Sequence, residues 1–256
     1  MECELSIITV VLNDPEGLQK TIKSVSIQQY RNYEYVVIDG GSHAETIKVI
    51  KDNAKAIDHW VSEKDKGIYD AMNKGLSYVH GKWVIFLNAG DVFVNSLITR
   101  DLFKVQNMDE YDVWYGDHRV EFMDIRGERK RKAGKMKYLK YGSQFCHQSA
   151  IVKTELIKEK GYNTLNRISA DFEFFYGLYM NDKKFGYAGF EIAKITSGGL
   201  SDVSQVHVLR SWEKVVLNSD TESSLLLKVS YEYRILMTSI RQIVKKFLYT
   251  IPFFKK

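Results

Sequence analysis

Residues 5–12, Leu-Ser-Ile-Ile-Thr-Val-Val-Leu, form a nearly unbroken apolar and β-branched run. It predicts a strand covered on both faces, as in a parallel sheet. Asn13-Asp14-Pro15 follows and predicts a helix start, with Asp14 as the cap and Pro15 in the first helical position; the helix runs to about Gln29. Tyr35-Val36-Val37-Ile38 predicts a second buried strand ending in Asp39-Gly40-Gly41-Ser42. A helix over roughly 44–54 and a short strand over 57–61 come next. A helix is predicted over 70–79, where Tyr69, Met72 and Leu76 share one face. Trp83 to Leu87 is a further buried strand, ending in Asn88-Ala89-Gly90-Asp91. Alternating buried strands and helices predict an α/β fold with a mostly parallel sheet flanked by helices. Ligands of such sheets sit at the carboxyl ends of strands. Polar or acidic turns follow three strand ends here, at Asn13, Asp39 and Asp91, which favours one shared site over three unrelated turns.

Beyond residue 110 the pattern changes. Val113 to Tyr115 and Val120 to Met123 predict short strands around a turn. Residues 126–140 read as a mobile loop, and residues 143–152 lead into another strand. Ala170 to Met180 predicts an aromatic-rich helix starting near Asp171. Gly198-Gly199 predicts a flexible connection, and the chain is helical from Trp212 onward.

Composition changes this picture in two ways. Among 256 residues, 45% are hydrophobic and 27% charged, which excludes global disorder. No uncharged apolar run reaches the ~18 residues of a membrane span. The acidic N-terminus lacks a secretory pattern, and Cys3 and Cys146 cannot make a disulfide framework or a cysteine metal cage. The expected setting is cytoplasmic. The net charge of +5 is unevenly spread: residues 126–140 hold eight Lys/Arg against one Glu, and residues 228–256 hold seven against one. The rest of the chain is therefore acidic, and both basic segments suit an anionic partner.

Three clusters carry candidate chemistry. Asp39 at a strand end can accept a hydrogen bond from a base or ribose, beside glycines that allow close approach; it can also be a plain turn. No G-x-G-x-x-G is present, which disfavours a dinucleotide fold. Glu63 to Gly75 gathers Asp65, Lys66, Asn73 and Lys74 beside two glycines; Asp70 alone is explained as a helix cap. Asp91 can offer oxygen to a hard divalent cation.

Together these segments resemble a family 2 glycosyltransferase with the nucleotide-sugar fold called GT-A. The matching pieces are Ser6 to Asn13, Ser24 to Tyr30, Val37 to Ser42, Glu63 to Gly75, and Leu87 to Asp91, in that order. The likeness thins through His147-Gln148, Ser169-Ala170-Asp171 and Gly198 to Ser201. It is strongest for the bacterial branch that builds surface polysaccharides such as O-antigen, capsule or colanic acid. The resemblance implies a donor half over 1–110, an acceptor and catalytic half over 111–210, and a C-terminal helical basic extension over 211–256. It implies that Thr9, Asn13, Asp39, Gly40, Asp65, Lys66, Asn73, Lys74 and Asn88 bind the donor, with Asp39 on the base, typically uracil. Asp91 matches the last carboxylate of the family's Asp-x-Asp metal motif, whose first Asp is here Asn88. A divalent metal, Mn2+ or Mg2+, is therefore expected, held more weakly than usual. His147 and Gln148 resemble a pair expected to face the acceptor or donor sugar. An inverting transfer needs a carboxylate base; Asp171 fits, and is preferred to Glu173, which lies two residues on and points elsewhere on a helix. His207 is a further candidate metal ligand.

In residues 228–256, Tyr233, Leu236, Ile240, Ile243, Val244 and Phe247 fall at helical spacing, with the basic residues mainly off that stripe. This suits an interfacial helix on an anionic cytoplasmic leaflet. The resemblance thus implies an inverting transfer from a nucleotide sugar, of the UDP type, to a polyprenyl-diphosphate-linked acceptor. The alternatives are an inactive nucleotide-sugar-binding subunit and a sugar nucleotidyltransferase. Against the latter, residues 5–20 contain one Gly and no Arg. No stacking or zinc-finger pattern indicates nucleic acid.

Overall fold

The computed structural model describes residues 3–122, 127–197, 205–219 and 225–250. The first half alternates β1 (Leu5–Val11), α1 (Pro15–Ser26), β2 (Tyr33–Asp39), α2 (Ala44–Asp52), β3 (His59–Ser62), α3 (Ile68–Leu76) and β4 (Trp83–Phe86). β5 (Val92–Phe93) and α4 (Ile98–Leu102) follow. The second half contains β6 (Val113–Glu121), β7 (Glu128–Arg131), β8 (Ala150–Lys153), α5 (Thr154–Lys160), α6 (Ala170–Met180) and β9 (Phe185–Thr196). Two helices close the described chain, α7 (Gln205–Ser219) and α8 (Leu225–Thr250).

One nine-stranded sheet runs β3-β2-β1-β4-β8-β6-β9-β5, with β7 paired to β6. β3, β2, β1 and β4 run parallel; β1, β4 and the carboxyl part of β2 are buried on both faces, which explains their apolar runs, while β3 at the sheet edge is only partly covered. One core, containing Ile8, Val36, Met72 and Phe174, joins the sheet to α3 and α6. The other, containing Leu18, Ile22, Val37 and Trp83, joins the opposite face to α1. Beyond β4 the sheet is mixed: β8 runs antiparallel to β4 and β6, while β6 and β9 are parallel.

The capping expectation at α1 is met, with the Gly17 amide donating to Asp14 Oδ1 at 2.8 Å and Pro15 opening the helix. Helix α3 starts two residues earlier than the pattern suggests. Gly67 occupies its cap position, and Asp70 instead accepts from the Lys66 amide at 2.9 Å.

The region after residue 110 departs further from expectation. Val113 to Glu121 is one strand, not two around a turn. Gly116-Asp117 reads locally as a turn but forms an irregularity in the β6–β9 register. A Cβ at Gly116 would lie 2.6 Å from the Phe190 carbonyl, so only glycine allows this approach. The described part of 126–140 is not a loop throughout. β7 pairs with β6, and Met136–Tyr141 forms a 3-10 turn. β7 is exposed on both faces, so burial leaves no alternation for sequence reading to detect. Gly198-Gly199 lies outside the described residues.

Candidate active site

The carboxyl ends of β1, β2 and β4 meet beside the start of α3. A cleft of about 380 Å3 opens there, lined among others by Val10, Leu12, Asp65, Lys66, Tyr69 and Arg167.

Asp39 is fully buried at the end of β2. Its Oδ2 accepts from the amides of Gly41 at 3.1 Å and Ser42 at 2.9 Å, and from the Ser62 hydroxyl at 2.7 Å. Its Oδ1 is buried with no hydrogen-bond partner. Such an acceptor leaves one hydrogen bond to be made by a water or a ligand group. Gly40 sets the neighbouring geometry: a Cβ there would lie 2.2 Å from Asp65 Oδ2, so glycine lets the Asp65 carboxylate close against the β2 turn. Asp65 is itself fixed by the Gly67 amide at 2.9 Å. Asp39, Gly40, Asp65 and Lys66 thus assemble at one edge of the cleft.

The structure uses other expected donor contacts internally. Thr9 is fully buried; its hydroxyl donates to the Leu87 carbonyl at 2.7 Å and accepts from Tyr35 at 2.9 Å, tying β1 to β4 and β2. Asn13, at φ 54°, accepts from the His43 amide through Oδ1, while its own amide donates to Ser42. Asn73 clamps the backbone of Tyr162 at both N and O, at 2.7 and 2.8 Å. Lys74 pairs with Glu63 at 3.0 Å and donates to the Lys64 carbonyl, bracing the loop before α3. Thr9, Asn73 and Lys74 thus direct their polar atoms at protein groups around the site, while Asn13 is exposed, with Oδ1 on the His43 amide.

The second focus lies at the end of β4. Gly90 adopts φ 93°, turning the chain so that Asp91 points inward, nearly buried. Asp91 Oδ2 accepts from Gln148 Nε2 at 2.9 Å, and Oδ1 faces the Thr196 amide at 3.4 Å. Burial dominates and pushes its pKa up to about 6, opposed by the Gln148 hydrogen bond and by nearby His147. Asn88 Oδ1 is buried without a partner.

Among the described residues, no group of three or more His, Cys, Asp or Glu side chains could hold a metal ion. The unpartnered Asn88 oxygen and the Asp91 carboxylate are nevertheless two hard donors on one turn. They fit a cation such as Mg2+ that takes its other ligands from water and phosphate. His207, the other candidate ligand, is exposed on α7.

Asp171 sits in the first turn of α6. Its Oδ1 accepts from the Tyr69 hydroxyl at 2.8 Å, and its Oδ2 lies 3.1 Å from His147 Nδ1. Burial works to raise its pKa. The His147 hydrogen bond and charge, with the Tyr69 hydroxyl, outweigh burial and hold the carboxyl below its usual range. Burial and the adjacent Asp171 charge push the Tyr69 phenol upward, so it stays protonated and donates. Glu173 is committed elsewhere: it accepts from Asn163 at 2.9 Å and Asn166 at 2.7 Å, pinning the loop before α6.

The His147-Gln148 turn links these two foci, with His147 on Asp171 and Gln148 on Asp91. Gln148 is nearly buried and also accepts from the Cys146 thiol at 2.6 Å. Its amide is therefore directed at a site carboxylate and not outward at a sugar. Local sequence missed Tyr69 and Arg167. Tyr69 looked like a core position of α3, and indeed its ring is buried while its hydroxyl reaches Asp171. Arg167 stands in a loop with no motif around it.

The fold and sequence have known counterparts. The chain resembles the S. aureus protein TarS in complex with UDP, with a TM-score of 0.64, 18% identity, and coverage of 86% of this chain and 67% of that one. A mannosyltransferase of Pyrobaculum calidifontis, PcManGT, solved with GDP-Man and Mn2+, gives a TM-score of 0.66 at 14% identity over 92% of this chain and 70% of that one. At these identities the likeness shows the GT-A fold alone. An uncharacterized glycosyltransferase of Mycobacterium tuberculosis is 33% identical over 181 residues, 66% of each chain. A PGL/p-HBAD biosynthesis glycosyltransferase of Mycobacterium bovis is 29% identical over 174 residues, 66% of this chain and 67% of its own. The chain thus spans about two thirds of the length of these relatives, and neither is named for O-antigen, capsule or colanic acid. The family model described as Glycosyl transferase family 2 matches residues 6–176, a stretch that contains the β1, β2 and β4 strand ends, the His147-Gln148 turn and Asp171. On that match the chain belongs to glycosyl transferase family 2.

Proposed function

We propose that this protein is an inverting glycosyltransferase that moves one sugar from a UDP-type nucleotide sugar to a lipid-linked oligosaccharide in surface polysaccharide synthesis. The observation that carries the reading is the pairing of a donor-side pocket, bordered by the buried, unpartnered acceptor oxygen of Asp39, and an ionised Asp171 held by Tyr69 and His147. Asp39 Oδ1 accepts from the nucleobase, and Asp65 and Lys66 border the ribose. Residues 1–110 form the donor half, 111–210 the acceptor half, and 211–256 the extension that meets an anionic membrane surface on the cytoplasmic face.

The acceptor hydroxyl gives its proton to Asp171 as its oxygen attacks the anomeric carbon. The bond from that carbon to the diphosphate oxygen breaks, and its electron pair leaves with the nucleoside diphosphate. Tyr69 and His147 keep Asp171 ionised and aimed before the proton arrives. Asn88 and Asp91 would hold a divalent cation, which neutralises charge on the leaving diphosphate when bound. Gln148 orients Asp91, as partners of ligating carboxylates do.

The weakened Asn88-to-Asp91 motif also supports a second reading, a subunit that binds nucleotide sugar without turning it over. Titration with UDP-, GDP- and dTDP-sugars, with Mn2+ or Mg2+ and then EDTA, tests both. Turnover with one UDP-sugar, lost in Asp171→Asn while donor binding persists, supports the enzyme. Binding without turnover supports the subunit. No nucleotide binding under any condition refutes both.

A further inference from the structure

The two basic segments, a hundred residues apart in sequence, meet in the fold. Leu139 in the Met136–Tyr141 turn is buried in a core with Phe172 and Tyr176 of α6, Val216 of α7, and Leu227 and Tyr231 of α8. The Tyr231 hydroxyl donates to the Lys140 carbonyl at 3.0 Å, and Arg234 donates to the Tyr141 carbonyl. This anchoring leaves Lys137, Tyr138, Lys140 and Tyr141 exposed beside α8. Each lysine rides on its neighbouring ring, Lys137 at 5.1 Å from the Tyr138 centroid and Lys140 at 5.6 Å from that of Tyr141.

Helix α8 is apolar on two opposite faces. Leu227, Tyr231 and Ile235 are buried against the body. Leu226, Val229, Tyr233, Leu236, Ile240 and Ile243 alternate at spacings of three and four on the outer face, each between 44% and 78% exposed. Arg234 and Arg241 flank this stripe along the groove between α7 and α8. Glu232, the one acid in residues 228–256, is neutralised by Arg210 at 2.9 Å.

Resting on the lipid-linked reading above, we infer that the Met136–Tyr141 turn and the outer face of α8 form one composite surface that docks on an anionic phospholipid bilayer. The apolar stripe enters the headgroup and acyl boundary. Tyr138 and Tyr141 are amphipathic rings suited to headgroup depth, and the lysines and arginines meet lipid phosphates. The heptad-like spacing would also suit a helix from a second copy. Charge decides against that occupant. Seven Lys/Arg against one Glu in residues 228–256 would repel an identical segment, whereas an anionic leaflet attracts each cation. The shared core has a consequence for the reaction: Phe172, the neighbour of Asp171, packs in it, so docking holds the base at a set position relative to the bilayer.

The test is co-sedimentation of the full chain with vesicles of phosphatidylglycerol and phosphatidylcholine in equal parts, and of phosphatidylcholine alone, at low and high salt. Binding to the anionic vesicles, weakened by salt, is expected. At about 1 kcal/mol per basic residue near the surface, replacing both Lys137→Ala and Lys140→Ala lowers partitioning about 30-fold. Leu236→Glu with Ile240→Glu abolishes it. Unchanged partitioning of the double lysine variant would remove the turn from the surface and overturn the proposal. So would equal binding to both vesicle types, or a wild-type dimer that ignores vesicles and dissociates on Leu236→Glu. UDP-sugar binding measured on the same preparations separates the two questions. Donor binding retained without vesicle binding overturns only this surface, and vesicle binding retained without donor binding strikes only the transferase reading.

Discussion

Replacing Asp171 with asparagine removes the base while keeping its shape. The amide oxygen can still accept from Tyr69, which holds Asp171 at 2.8 Å, but the charge facing His147 at 3.1 Å is lost. General base catalysis contributes typically 10²–10⁴-fold, so turnover should fall by about that factor, or roughly 3–5 kcal/mol of barrier. Donor binding should stay within a few fold, because Asp171 shares no hydrogen-bond partner with Asp39 or Asp65. The same variant has a stability signature. The folded pKa of Asp171 is depressed, so its ionised form stabilises the fold above the unfolded pKa, and that contribution is lost as pH falls through the folded value. A hydrogen bond to a charged group contributes about 1.5–3 kcal/mol. Asp171→Asn should therefore melt several degrees lower at neutral pH, and the gap should narrow below about pH 4, where wild type loses the same contribution. Steady-state transfer with a saturating UDP-sugar, donor calorimetry and melting curves from pH 3 to 8 would check these outcomes. A rate loss under tenfold, or a melting gap that does not narrow in acid, would refute the assignment of Asp171 as an ionised base.

Other outcomes test the supporting geometry. Gln148→Leu should weaken the divalent cation requirement's half-point about 10–100-fold, read as activity against Mg2+ concentration, because Asp91 loses its orienting donor. Gly40→Ala should displace Asp65 and cost up to about 100-fold in kcat/KM for the donor with little change in melting temperature. Gly116→Ala should instead destabilise by about 1–3 kcal/mol, seen in urea unfolding, because its Cβ meets the Phe190 carbonyl at 2.6 Å.

The parallel half of the fold was legible because burial on both faces writes itself into composition. The runs at Leu5, Tyr35 and Trp83 have no solvent face and hence no polar alternation. The turns after them were legible for the complementary reason, since Asp39 and Asp91 are acids at the ends of apolar strands. The mixed half was legible only in part: the aromatic-rich helix over Ala170–Met180 and the strand led into by residues 143–152 stand where the pattern puts them, but β7 and the kink in β6 had no local signal. β7 is solvated on both faces, and the Gly116-Asp117 irregularity depends on where β9 lies, which no local pattern encodes.

The same division runs through the site. Sequence alone determined which residue types could serve: carboxylates at strand ends, an acid in the first turn of an aromatic helix, and two basic segments. Tertiary structure decided which of them face one another. Asn73 and Lys74 sit in the motif, yet their polar atoms are taken by Tyr162 and Glu63. Gln148 turned out to hold Asp91, and Tyr69 to hold Asp171 across 102 positions of chain. A hydrogen bond is decided by distance and angle between atoms remote in sequence, so the list of candidates precedes folding and their pairing follows from it.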